Sequence, residues 1–161
     1  MHAVIFYSNY EVEVKMGLFD QFFGGTSEQA FGPQEGFAGV LLGVSACDGH
    51  IADEEVGTLV TMLSRMKMYQ NVTSQRWRSM MDRLLGILKR NGPEALIDKA
   101  VPAVPPELRE TAFACACDLV LADGTVEPEE KEFINNLLNK LGIDGGRAAT
   151  IVDVLIVKNK G

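Results

Sequence analysis

Two eight-residue stretches of this chain repeat one another. Asp48-Gly49-His50-Ile51-Ala52-Asp53-Glu54-Glu55 and Asp123-Gly124-Thr125-Val126-Glu127-Pro128-Glu129-Glu130 align at an offset of 75 residues. The register persists downstream, where Leu59, Leu63 and Met66 match Ile134, Leu138 and Leu141, and upstream, where Val44 matches Leu119. The shared pattern, Asp-Gly-x-[Ile/Val]-x-x-Glu-Glu followed by a helical period, predicts two helix-turn-helix halves, at about 33–68 and 106–158, with 69–105 as a bridge.

Elementary chemistry accounts for much of the pattern. Glycine admits the positive φ of a sharp turn, and the aliphatic residue two places on pins that turn to a core. Acidic residues suit the positive end of the helix that follows. With Ala52 and Glu127 as N-caps, Pro128 takes the first helical position. Glu55 and Glu130 then fall where a glutamate reaches back to the N-cap N–H.

A second reading gives the same acids a ligand. The eight residues match the latter half of an EF-hand loop, from its fifth position to its twelfth. The first and third positions are Val44 and Ala46 in one copy and Leu119 and Leu121 in the other, so the strong carboxylate ligands are missing and a standard EF-hand site is not expected. A weaker site for a hard cation remains, with Asp48, Glu54 and Glu55 in one turn and Asp123, Glu129 and Glu130 in the other. Ligation by oxygen alone selects Ca²⁺, Mg²⁺ or Mn²⁺ over zinc.

The rest of the chain is helical from Pro33 onward. Pro33 and Pro106 sit at first helical positions, Gly92-Pro93 ends one helix and starts another, and Gly142 is placed as a C-cap. Helices are predicted at 33–47, 53–68, 74–90, 93–101, 106–122, 128–141 and 146–158. In the last, Ala148, Ile151, Val152, Leu155 and Ile156 share one face at helical spacing, which favours helix over strand despite the β-branched content. The expected fold class is all-α, about seven helices, in one domain over 26–161.

Residues 1–25 read as a separate extension. Ala3 to Tyr7, and Val12 and Val14 between glutamates, suggest a strand or hairpin. The pattern restarts at Met16, which reads as the physiological start. Leu18, Phe19, Phe22 and Phe23 form an apolar stripe over two helical turns, a length that needs a docking surface. A Gly, Ser and Thr linker follows, from 24 to 32.

This doubled motif, with Pro106-Glu107-Leu108-Arg109-Glu110 leading through Ala122-Asp123-Gly124 and the tail Ile151-Val152-Asp153-Val154, resembles the TerB family of tellurite-resistance proteins. The resemblance covers about residues 33–158. It implies an all-α fold of two pseudo-symmetric halves, a role in tellurite resistance and stress response, and metal binding at acidic positions. Those positions here are Asp48, Glu54, Glu55, Asp123, Glu129 and Glu130. It also implies membrane-associated partners, but no enzymatic reaction.

Composition narrows the alternatives. A net charge of −7 disfavours nucleic acid, which needs a dominant basic face. Three cysteines, with no signal-peptide pattern, point to a reducing cytosol, and no apolar run approaches the roughly 20 residues of a membrane span. Cys115 and Cys117 lie about 200° apart on a helix and cannot share a ligand. Buried, inert thiols are expected, so thiol-dependent handling of oxyanions is the weaker, enzymatic alternative. His50 could add a nitrogen beside Asp48, although such a residue more often faces solvent. Asp118, inside an apolar helix, needs a partner, an arginine from the bridge or a bound cation.

Charge is unevenly placed. Residues 44–60 carry four acids and no lysine or arginine, whereas Arg65 to Arg90 carries seven basic residues against Asp82 alone. Arg76, Trp77 and Arg78 form the most partner-like cluster. The functional expectation is a non-enzymatic module with a divalent-cation site at its acidic turns. The alternative is an adaptor that docks a protein partner, a membrane surface or a second copy through the Leu18 to Phe23 stripe or the basic helix.

Overall fold

The computed structural model describes residues 29–122 and 124–161. The unit Phe31–Gly161 is all-α, and among the described residues there is no strand. Its helices are α1 (Pro33–Ser45), α2 (Asp53–Ser64), α3 (Ser74–Ala100), α4 (Arg109–Leu121), α5 (Pro128–Leu141) and α6 (Gly145–Lys158). Short 3₁₀ turns occupy Lys67–Tyr69, Val101–Ala103 and Pro106–Leu108. The expected strand or hairpin, the restart at Met16 and the Leu18, Phe19, Phe22 and Phe23 stripe lie outside the described residues.

The central helix is α1. Pro33 opens it at the first position, and Phe37, Ala38, Val40, Leu41 and Leu42 are wholly buried along its length. A helix apolar all round must be enclosed, and α1 packs against α2, α3, α4 and α5. Its close contact with α3 rests on glycines at helical spacing. A Cβ on Gly36 would stand 2.7 Å from Ala103 Cβ, and one on Gly43 would stand 2.6 Å from Ile97 Cγ1. Only hydrogen fits there, so the two backbones come close enough for Leu84, Leu96 and Ile97 to fill the space around them.

One buried charge sits in this core. Glu35 is 7% exposed and accepts a hydrogen bond from Arg83 Nη1 at 2.8 Å. The Arg83 guanidinium also lies 4.8 Å from the centre of the Phe31 ring, a cation–π contact that joins the entry of α1 to α3. Beside it, Tyr69 donates from its hydroxyl to the Gln34 carbonyl at 2.7 Å, and Trp77 stacks on Tyr69 with centroids 5.0 Å apart.

Two sequence expectations are corrected in detail. The second helix ends at Ser64 rather than 68, and a separate 3₁₀ turn brings Tyr69 into the core. The break expected at Gly92-Pro93 is present: the backbone leaves helical geometry at Gly92 alone (φ 86°, ψ 172°), and the two helical stretches follow one another without a loop. Ile156, expected on the buried face of α6, is 46% exposed, whereas Ile151, Val152 and Leu155 of that face are partly buried against the core.

A candidate acidic groove between the two turns

The glycines of both turns have a positive φ. Gly49 and Gly124 have φ of 94° and 80°, values that side chains on L-residues disfavour. Asp48 Oδ1 accepts the His50 N–H at 3.0 Å, closing the first turn on itself. Glu55 Oε2 then accepts the Ala52 N–H at 2.7 Å, and Glu130 Oε2 accepts the Glu127 N–H at 2.8 Å. These bonds satisfy backbone donors that each helix start would otherwise leave open. One carboxylate oxygen of each glutamate is therefore committed to capping.

The two helix starts face a common groove of about 360 Å³. Glu54, Glu55 and Thr58 of α2 form one wall, and Glu130 of α5 forms another. Val44, Leu59, Leu119 and Val120 supply an apolar floor. Among the described residues, no lysine or arginine pairs with any of the three glutamates. Asp48 and Glu129 lie outside the groove lining but close by: burial pushes the Cys47 thiol up, and the nearby Glu130, Asp48 and Glu129 carboxylates push it further.

Glu54, Glu55 and Glu130 thus line one groove, whereas Asp48 and Glu129 lie outside its lining. Asp123 lies outside the described residues. Among the described residues, no three His, Cys, Asp or Glu side chains are grouped as a preformed metal cage. His50 is exposed at the first turn. Arg76 and Arg78 are exposed, whereas Trp77 is half-buried against Tyr69 and belongs partly to the core.

The other chemical candidates are placed plainly. All three cysteines are free, Cys117 is buried, and burial followed by the charge of Asp118 pushes its thiol up to about 11. Cys115 is raised by the same two causes. Asp118 pairs with residues at the end of α6 rather than with a bridge arginine. Lys158 Nζ reaches both of its oxygens at 2.9 Å, and Asn159 Nδ2 donates at 2.8 Å. Partial burial pushes this carboxyl up, but the hydrogen bonds from Asn159 and Lys158 and the charge of Lys158 outweigh it and hold the group below the usual carboxylate range. The expectation failed because the partner comes from α6, which lies across α4.

Sequence reasoning missed Thr58 and Ser45 at the groove and the buried Nε of Arg109, whose Nη1 donates to the Leu141 carbonyl at 3.4 Å. A single arginine in Pro-Glu-Leu-Arg-Glu, at the start of a helix where cations are disfavoured, is the signal that could have found the last of these. Among the described residues, no helix is long and apolar enough to cross a membrane. Compared with protein-family models, curated proteins and solved structures, the chain matches none.

Proposed function

We propose that this protein is a non-catalytic, TerB-like stress-response module of the cytosol that binds a hard divalent cation in the groove between its two acidic turns. The observation that supports this reading is that Glu54 and Glu55 at one helix start and Glu130 at the other line one groove. Carboxylate oxygens from separate helix starts suit Ca²⁺, Mg²⁺ or Mn²⁺, with water completing a loosely held shell. Residual Oε1 atoms of Glu55 and Glu130, together with the Glu54 carboxylate, are the donors. The raised thiols speak against cysteine chemistry.

A second reading is an adaptor for a protein partner or membrane surface. It is supported by the exposure of Arg76 and Arg78 at the start of α3.

Melting of chelator-stripped protein against each cation tests the first reading. A cation at about 100 times its Kd adds roughly 2.7 kcal/mol, or roughly 5–10 °C in this size class. The rise should be lost in Glu54→Gln, a variant that leaves both capping bonds in place. No shift at millimolar cation leaves the acids as helix caps and favours the adaptor.

A further inference from the structure

Among the described residues, the exposed large hydrophobics are Val154, Ile156 and Val157, at 63%, 46% and 69%. All three fall within four residues of α6. Scattered apolar residues on a surface need no explanation, whereas a cluster on one element calls for a cover. The helix is held firmly in place beneath them. Arg147 pairs with Glu110 and Lys158 with Asp118, both on α4, and Ala148 is buried against the core.

The outer face of α6 has a specific pattern. Asp153, Ile156, Val157 and Lys160 follow one another at i, i+3, i+4 and i+7, the spacing of a single helical stripe. Lys160 stands just past the helix, and its N–H still bonds to the Val157 carbonyl at 3.3 Å, so the chain keeps turning in the same sense. All four side chains are exposed. Asp153 and Lys160 have no ion-pair partner among the described residues. The stripe therefore has an apolar centre, one acid at its beginning and one base at its end.

Such a stripe is complementary to itself reversed. A two-fold axis passing between Ile156 and Val157 sets Ile156 of one copy against Val157 of the other. The same axis sets Asp153 against Lys160 twice. An antiparallel pair of α6 helices thus covers the apolar centre and pairs all four charges, whereas a parallel pair would oppose like charges. We propose that the protein self-associates as a two-fold dimer through this face of α6, with the second copy as the occupant of the stripe. A stripe of four residues is short beside the roughly 20–30 residues a side of a standard interface, so the dimer is weak and concentration-dependent.

Sedimentation velocity of the full chain, from about 10 µM to about 1 mM, reads dissociation constants in this range directly. The expected result is a shift from monomer to dimer with concentration. Val157→Asp should abolish it. Asp153→Lys should weaken it at least tenfold, since it turns both attractive pairs into repulsions. The exchanged variant, Asp153→Lys with Lys160→Asp, restores the pairing and should return the constant to near the original. These residues are exposed, and unchanged melting temperatures would verify that each variant is folded. Monomer at every concentration overturns the proposal. So does a dimer that ignores Val157→Asp, or one that the charge exchange fails to restore.

Discussion

Lys158 Nζ holds both carboxylate oxygens of Asp118, 40 residues away in sequence, at 2.9 Å. This contact fixes the end of α6 onto α4. Asp118→Ala should lower stability by about 1 kcal/mol, because Lys158 is well exposed and its charge is screened by solvent. The folded carboxyl titrates below its unfolded value, so its contribution is present above the unfolded pKa, near 4, and is lost as pH falls through the folded one. Urea melts of both proteins at descending pH should show the difference shrinking under acid and constant at neutrality. A difference that grows under acid refutes the assignment.

Glycine substitutions should separate by location. Gly36→Ala and Gly43→Ala push a methyl into Ala103 and Ile97 and should each cost about 1–3 kcal/mol by overpacking. Gly57→Ala, inside α2 with nothing within 4 Å of a built Cβ, should instead stabilise by about 0.5–1 kcal/mol. Thermal melts of the three variants check both signs at once.

Glu35 and Arg83 should behave as a buried pair. Arg83→Met removes the partner that Glu35 has among the described residues and the cation over Phe31, leaving a carboxylate that is 7% exposed. A loss of about 2–3 kcal/mol is expected. Combining it with Glu35→Gln should recover part of that loss, since no uncompensated charge is left. A fully additive double mutant would show that the two side chains act independently.

Thiol alkylation should be slow in the folded protein. Cys117, buried and with its thiol raised to about 11, should resist a neutral maleimide at pH 7 until the protein is unfolded. Cys47 is half-buried beside carboxylates and should label faster at high salt, which screens those charges. Mass spectrometry of timed quenches distinguishes the sites.

Much of this architecture could be read in the amino-acid sequence, because its signals are local. The doubled Asp-Gly turns, the reach-back of Glu55 and Glu130, the break at Gly92-Pro93 and the start at Pro33 each depend on a few neighbouring residues. The convergence of Glu54 with Glu130 was not readable, since it depends on how α2 and α5 sit across α1. Nor was the Lys158 partner of Asp118, which depends on α6 crossing α4. Ile156 fits the inward periodicity of α6, yet it is left 46% exposed at the edge of that face. Tertiary placement selects among options that the local pattern leaves equal.

The enclosure of α1 bears on how far the chain can be divided. Although the motif repeats, the halves do not each own a core: α1 belongs to the first, yet α4 and α5 of the second lie against it. A fragment ending at the bridge would lose α4 and α5 from the side of α1, where Val44 lies beside Leu119 and Val120. Gene fusion, truncation or limited proteolysis inside the bridge should therefore give two pieces that gain structure only when mixed.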